Sequence, residues 1–526
     1  MKKFKLKYSW LPIALLGLTA CDINNELEAI PEVETPVVAV DATGLDLSNY
    51  VAVGASFSAG FTDNALFIAA QENSFPNIIS QKFQLAGGGD FVQPLMNDNI
   101  GGLLFGGNMI QGPRLYFNGS GPASLAALGA VPTTEVTTKL PSNNNNYGIP
   151  GAKSYHFVAP GYGSLNAVPL GQANPYFARI SSSETATVLG DAVANAPTFF
   201  TLSEIGGNDV LGYALGGGAG VDQTGNMNPA TYGPADITDP TAFAGILTQM
   251  VDALTANGAK GVVGNIPYIT SLSHFTTVPH NPIPLDAATA GAVNQAYAAY
   301  NQGLQGVLDA KNAGLLPAQV IALLDQAGFD QAEVDRRQIT FAEGTSNAVV
   351  IMDEDLTDLS IVNPALTNMR QATADDLLVL TSSSFIGTLA DPSNPLSVNG
   401  VAVPLADKWV LTPEEQNNIR VATDSYNATL KAVADGKGLG FVDFNAILQQ
   451  AATTGLTFGD FTMTTSLVTG GLVSLDGVHL TARGYGLMAN EFLKATDATY
   501  GSNFGVATDG LSDANDLPTN YSPTLR

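Results

Sequence analysis

The feature that most limits what this chain can become is a recurring unit: a short apolar run, a glycine-bearing turn, then a segment of helical period. Tyr50-Val51-Ala52-Val53 runs into Gly54, Thr198 to Leu202 leads to Ile205-Gly206-Gly207, and Gly261 to Ile266 repeats the pattern. Runs this short read as strands buried on both faces. Between them, Phe75, Ile78, Ile79 and Phe83 give residues 74–85 one apolar face. Phe243, Ile246, Leu247, Met250, Val251 and Leu254 stripe 241–257, with Gly258 placed to stop the helix. Such alternation implies an α/β fold in which parallel strands are joined by crossover helices and the functional loops sit at the strands' carboxyl ends. The pattern resumes at Thr412-Pro413-Glu414-Glu415, which supplies a cap, a proline for the first helical position and an acid able to close a capping box. Phe441-Val442-Asp443-Phe444 is expected as the last strand and 483–495 as the closing helix.

Two stretches interrupt this alternation. Residues 87–145 are rich in Gly and Asn without a clear period and read as an insertion or lid. A helix over 287–310 carries Val293, Tyr297, Tyr300 and Leu304, the tyrosines reading as core residues, and the texture then changes. Residues 315–408 read as a second insertion, with a short helix at 317–326, a hairpin through Glu343-Gly344 and a strand-like run from Leu377 to Leu380. The polar tail, 501–526, is expected to strap the surface or fray.

Composition narrows the class of partner. The 526 residues hold 21 Lys plus Arg against 47 Asp plus Glu, a net charge of −26, which argues against binding a phosphate backbone, so no nucleic-acid partner is expected. The single Cys excludes an intramolecular disulfide framework and a thiolate zinc site. It is Cys21, preceded by a basic start (Lys2, Lys3, Lys5, Lys7), an apolar run from Trp10 and the small residues Thr19 and Ala20. That apolar run is too short to span a bilayer. The segment resembles a bacterial lipoprotein signal, which implies cleavage before Cys21, lipidation there, and an envelope protein held to a membrane, the outer one being expected. Residues 21–46, with seven acids from Asp22 to Asp46 and no basic residue, read as an extended acidic tether.

The turns after the strands carry the chemistry. Gly54-Ala55-Ser56-Phe57-Ser58 puts Ser56 where a strand breaks toward a helix, exposing a hydroxyl beside backbone N–H groups. In Asp476-Gly477-Val478-His479 the turn can return the carboxylate to the imidazole, fixing its tautomer and leaving Nε2 as a base. With Asn146-Tyr147-Gly148-Ile149-Pro150-Gly151 and Gly206-Gly207-Asn208-Asp209, these blocks in order resemble the SGNH, or GDSL-type, hydrolase superfamily of esterases and lipases. The resemblance covers roughly 47–275 and 409–495. It implies a three-layer, flavodoxin-like fold and ester hydrolysis with Ser56 as nucleophile, His479 as base and Asp476 as its orienting acid. Gly151 and Asn208 would then join the Ser56 N–H as oxyanion donors. Ala55 stands where that superfamily carries Asp.

The substrate expected is an ester of a lipid or an acylated sugar, and no cofactor or metal is called for. The other reading is an inactive lipoprotein that binds glycan or lipid on the same scaffold. His156, His274 and His280 lack metal-ligand spacing and read as packing or loop residues. Asp353-Glu354-Asp355 with Asp358 lacks an EF-hand pattern and reads as a solvated acidic turn. Leu103-Leu104-Phe105 and Leu125 to Leu128 are candidates for an acyl pocket.

Overall fold

The computed structural model describes residues 36–526, so the signal-like segment, Cys21 and most of the tether lie outside the described residues. Among the described residues no helix is long and apolar enough to cross a membrane. Five strands, β1 (Tyr50–Gly54), β2 (Asn146–Gly148), β3 (Phe199–Ser203), β4 (Lys260–Gly264) and β5 (Gly440–Val442), form one sheet in the order β2-β1-β3-β4-β5. Every neighbouring pair is parallel. This is the α/β architecture, a central parallel sheet joined by crossovers, that the alternation implies. The order reverses at β1, so right-handed crossovers must send the connecting helices to opposite faces, and loops diverge outside the carboxyl ends of β1 and β3. The register sets those ends level: Gly54 lies opposite Gly148 on one side and Ser203 on the other.

The helices that frame the sheet and the site include α1 (Ser56–Ala59), α2 (Phe75–Gln84), α3 (Gly207–Leu215), α4 (Pro240–Thr255), α5 (Ala287–Asn312), α6 (Pro413–Lys437), α7 (Phe444–Thr453) and α8 (Ala482–Tyr500). α2 packs on α8, and α4 packs on α6. Their apolar stripes close on the strands: Val51, Ala52 and Val53 of β1 are wholly buried, as are Phe243, Leu247, Met250 and Val251 of α4. The capping box at the start of α6 forms as its residues suggest, Thr412 Oγ1 accepting from the Glu415 N–H and Glu415 Oε2 from the Thr412 N–H at 2.7 Å.

Several local expectations change. The short edge strand β2 arises from a polar stretch that carries no strand period. Phe444 opens α7 under an Asp443 cap instead of ending a strand. The expected hairpin at Glu343-Gly344 is absent: Gly344–Asn347 pairs antiparallel with Ile283–Leu285, far upstream. The second insertion is a separate apolar core running from Ile283 to Val410, so it takes in α5 and begins near 283 rather than at 315. Within it the hydroxyls of Tyr297 and Tyr300 donate to the carbonyls of Val401 and Met369, each at 2.7 Å, as core residues. Asp353 is not solvated either; it is 1% exposed and paired with Arg370 at 2.5 Å.

The first insertion, 87–145, contains two small antiparallel ladders, Leu103–Phe105 with Asn108–Gln111 and Leu115–Phe117 with Pro122–Ser124. Arg114, between them, is buried and donates to the carbonyls of Asn99 (2.8 Å), Ser522 (2.8 Å) and Leu525 (3.1 Å), so the tail straps the surface. From Val38 the stretch expected as tether is already docked. The Val38 and Asp41 N–H groups donate to Thr508 Oγ1 (3.0 Å) and Asn503 Oδ1 (2.7 Å).

Candidate active site

Ser56 opens the single-turn helix α1 at the carboxyl end of β1, and Gly60, with φ 81°, ends that turn in the left-handed region. The packing explains the glycine before it: a Cβ on Gly54 would meet Ser58 Oγ at 2.1 Å and the Ser203 carbonyl at 2.6 Å. The turn is held from β3. Glu204, the residue after the strand, accepts from the Phe57 N–H (2.7 Å) on one oxygen and from the Ser58 N–H (2.8 Å) and hydroxyl (2.9 Å) on the other. Its backbone sits at φ 62°, a strained region for a residue with a side chain. Burial pushes the Glu204 carboxyl up to about 7 against the lowering effect of these donors. Sequence reasoning missed this residue. The signal was Ala55: a turn lacking its own acid needs one from elsewhere.

The loop ahead of α8 assembles a carboxylate and imidazole pair. Asp476 Oδ2 lies 2.9 Å from His479 Nδ1, and Asp476 Oδ1 accepts the N–H groups of Val478 and His479, each at 2.8 Å. Asn64, itself at φ 64°, adds its N–H to Oδ2 at 2.8 Å. Burial alone would raise the Asp476 carboxyl, but the His479 imidazole and the backbone donors hold it well below the usual carboxylate range. The pair is sheltered, with side-chain exposures of 14% for His479 and 9% for Asp476. The His479 ring is flanked by Phe57 and Phe61, at centroid distances of 5.7 Å and 4.6 Å. Below it, the His274 N–H donates to the Gly477 carbonyl at 2.9 Å, and Gly477 needs its φ of 78° because a Cβ there would strike that nitrogen. His274 is thus a packing residue of this loop. His156 is one of the second block, its ring 4.2 Å from and parallel to that of Tyr162.

The remaining blocks meet the first. Ser56 and Asn208, with Val478 and Leu480 on either side of His479, line one cavity of about 100 Å³. Its other walls are mostly apolar, among them Leu211, Ile266, Ile447 and Met488, with Glu204 and Glu491 as acids at the lining; the segments around Leu103 and Leu125 do not line it. Asn208 stands in the first turn of α3 and donates its amide to the Ala152 carbonyl at 2.9 Å, next to Gly151. An amide nitrogen has two protons, so one stays available. Asp209, also unforeseen, locks the two blocks together by accepting from the Ser154 N–H (2.8 Å) and hydroxyl (2.6 Å). Gly151 is exposed at φ 78°, with nothing near its missing Cβ, so conformation and not space selects glycine there. No hydrogen bond among the described residues engages the Ser56 or Gly151 N–H. None joins Ser56 Oγ to His479 either, a contact that in ligand-free sites is often longer than it becomes with substrate. Comparisons with family models, with curated proteins and with solved structures return no match.

Proposed function

We propose that this chain is a serine hydrolase acting on carboxylic esters, of the SGNH or GDSL type, held at a bacterial envelope membrane by a lipid on Cys21. The observation that carries the reading is a half-buried imidazole, fixed by Asp476 at 2.9 Å, beside a mostly apolar cavity lined by Ser56 and Asn208. The strand order, 2-1-3-4-5, is the flavodoxin-like order, and the residues in question lie around its switch point. In this mechanism Ser56 Oγ attacks the ester carbonyl while His479 Nε2 takes its proton. Asp476, held ionised, orients the ring and balances the imidazolium. The carbonyl oxygen becomes an oxyanion, met by the N–H groups of Ser56 and Gly151 and the Asn208 amide; one such donor is worth about 3 kcal/mol in the transition state. Collapse breaks the ester C–O bond, and His479 returns its proton to the leaving alkoxide. Water, deprotonated by the same imidazole, then releases the acid from Ser56. The apolar walls favour an acyl chain over a charged group.

A fluorophosphonate probe should label the wild-type chain, and Ser56→Ala should abolish both labelling and hydrolysis of p-nitrophenyl esters. Labelling that persists in Ser56→Ala rejects the assignment, and a folded wild type that cleaves no ester of a C2 to C16 series rejects the activity.

A further inference from the structure

Away from this cavity, three carboxylates converge where the second core meets the sheet's helices. Glu354 follows the strand Val350–Met352 of the second core, Asp407 lies where that core returns to the sheet, and Glu415 is in the first turn of α6. One oxygen of each lies within 4.8 Å of the other two. Two ligands about 2.4 Å from one calcium ion can stand about that far apart. Glu415 is 2% exposed; its Oε2 is used by the capping box, while its Oε1 is buried with no hydrogen-bond partner among the described residues, and so is Asp407 Oδ1. A buried acceptor left in this way costs free energy unless something positive meets it. Among the described residues no salt bridge reaches Glu354, Asp407 or Glu415; the guanidinium of Arg370 is committed to Asp353 (2.5 Å) and Asp376 (2.7 Å). The backbone makes room as well, since a Cβ on Gly218, in the loop after α3, would fall 1.7 Å from Glu415 Oε1.

We infer that Glu354, Asp407 and Glu415 form a binding site for a hard divalent cation of the calcium type, clipping the second core to α6. The donor set is oxygen only, which selects calcium or magnesium over zinc or copper. A cavity of about 450 Å³ opens beside Glu354 and Asp407, giving water the space to complete a shell of six to eight ligands. That flexible, water-completed geometry favours calcium over the strict octahedron of magnesium.

The test uses the chain from residue 22 onward, stripped with EDTA, at pH 7.5. Titration calorimetry with CaCl2 should show one site, and about 1 mM calcium should raise the melting temperature by about 2 °C or more. Glu354→Gln and Asp407→Asn should each weaken the dissociation constant by at least about tenfold, with Glu343→Gln, an exposed acid of the same core, unchanged. Glu354 is exposed, so its variant tests the site even if Asp407→Asn fails to fold. Absence of calcium binding by the wild type, or wild-type binding by Glu354→Gln, overturns the inference. Both readouts are independent of esterase activity.

Discussion

Glu204 holds the Ser56 turn with both oxygens of one carboxylate, so its chemistry can be tested without changing its size. Glu204→Gln keeps one acceptor but turns an NH2 toward either the Phe57 or the Ser58 N–H, donor against donor. The variant should lose about 1–3 kcal/mol of stability in urea unfolding and about tenfold or more in kcat, with Ser56 still labelled slowly. Asp476→Asn should lower kcat by about 10³-fold or more with KM little changed, because the imidazole loses its fixed tautomer. Unchanged kcat in either variant would remove that residue from the account. The place of Ser56 at a strand end and the pairing of Asp476 with His479 were legible because each is defined within a few residues of sequence. Glu204 was not, since what gives it meaning is a backbone turn 147 residues earlier. The roles of the buried Asp209 and of the buried Asp63, which accepts the Leu475 N–H at 3.1 Å, were illegible for the same reason.

Elements whose cause is local were read well. The stripe of α4, the Thr412 and Glu415 box and the stop at Gly258, with φ 84°, all depend on neighbours within one or two turns. Elements whose cause is distant were not. β2 is a strand because β1 supplies its ladder, and Gly344–Asn347 chose a partner near Ile283 over the hairpin that its own turn suggested. Acyl-pocket candidates fared the same way: Leu103 and Phe105 serve a satellite core around Phe61 and Leu66, and neither they nor Leu125 to Leu128 line the cavity. The strap formed by the tail depends on Arg114, whose guanidinium also lies over the rings of Phe67 (5.0 Å) and Tyr521 (5.9 Å). Arg114→Ala leaves the bonded carbonyls without donors and opens a void. Urea unfolding should register a loss of about 3 kcal/mol or more, and limited proteolysis should clip the tail first. Wild-type stability and tail protection in that variant would show that the strap does not depend on this residue.

Over the whole molecule, buried acids give stability an uncommon pH slope. Burial pushes Asp63 and Glu204 up to about 7, Asp407 to about 7 and Glu415 to about 9. An acid whose folded value is raised adds stability below its unfolded value, near 4, and that stability is lost as pH climbs through the folded value. Asp476 acts in the opposite sense, but only in strong acid. Glu354 adjoins both Glu415 and Asp407, Asp353 and Asp355 adjoin Asp407, and Arg336 is directed to Glu414 at 3.7 Å. In EDTA the melting temperature should therefore fall from pH 5 to pH 9, and calcium should flatten the part above pH 7. A rising or flat profile in EDTA would contradict the pH argument.

The seam between Val38 and Thr508 has a consequence for how such a chain is made. It joins points 470 residues apart, and the Ser56 turn and the His479 loop come from nearly as far. A polypeptide delivered amino end first, from a ribosome or through a membrane pore, cannot close this seam until the residues around Thr508 emerge. Ser56 and His479 stay separated for most of that passage, so the arrangement proposed as the active site can assemble only late in synthesis or export.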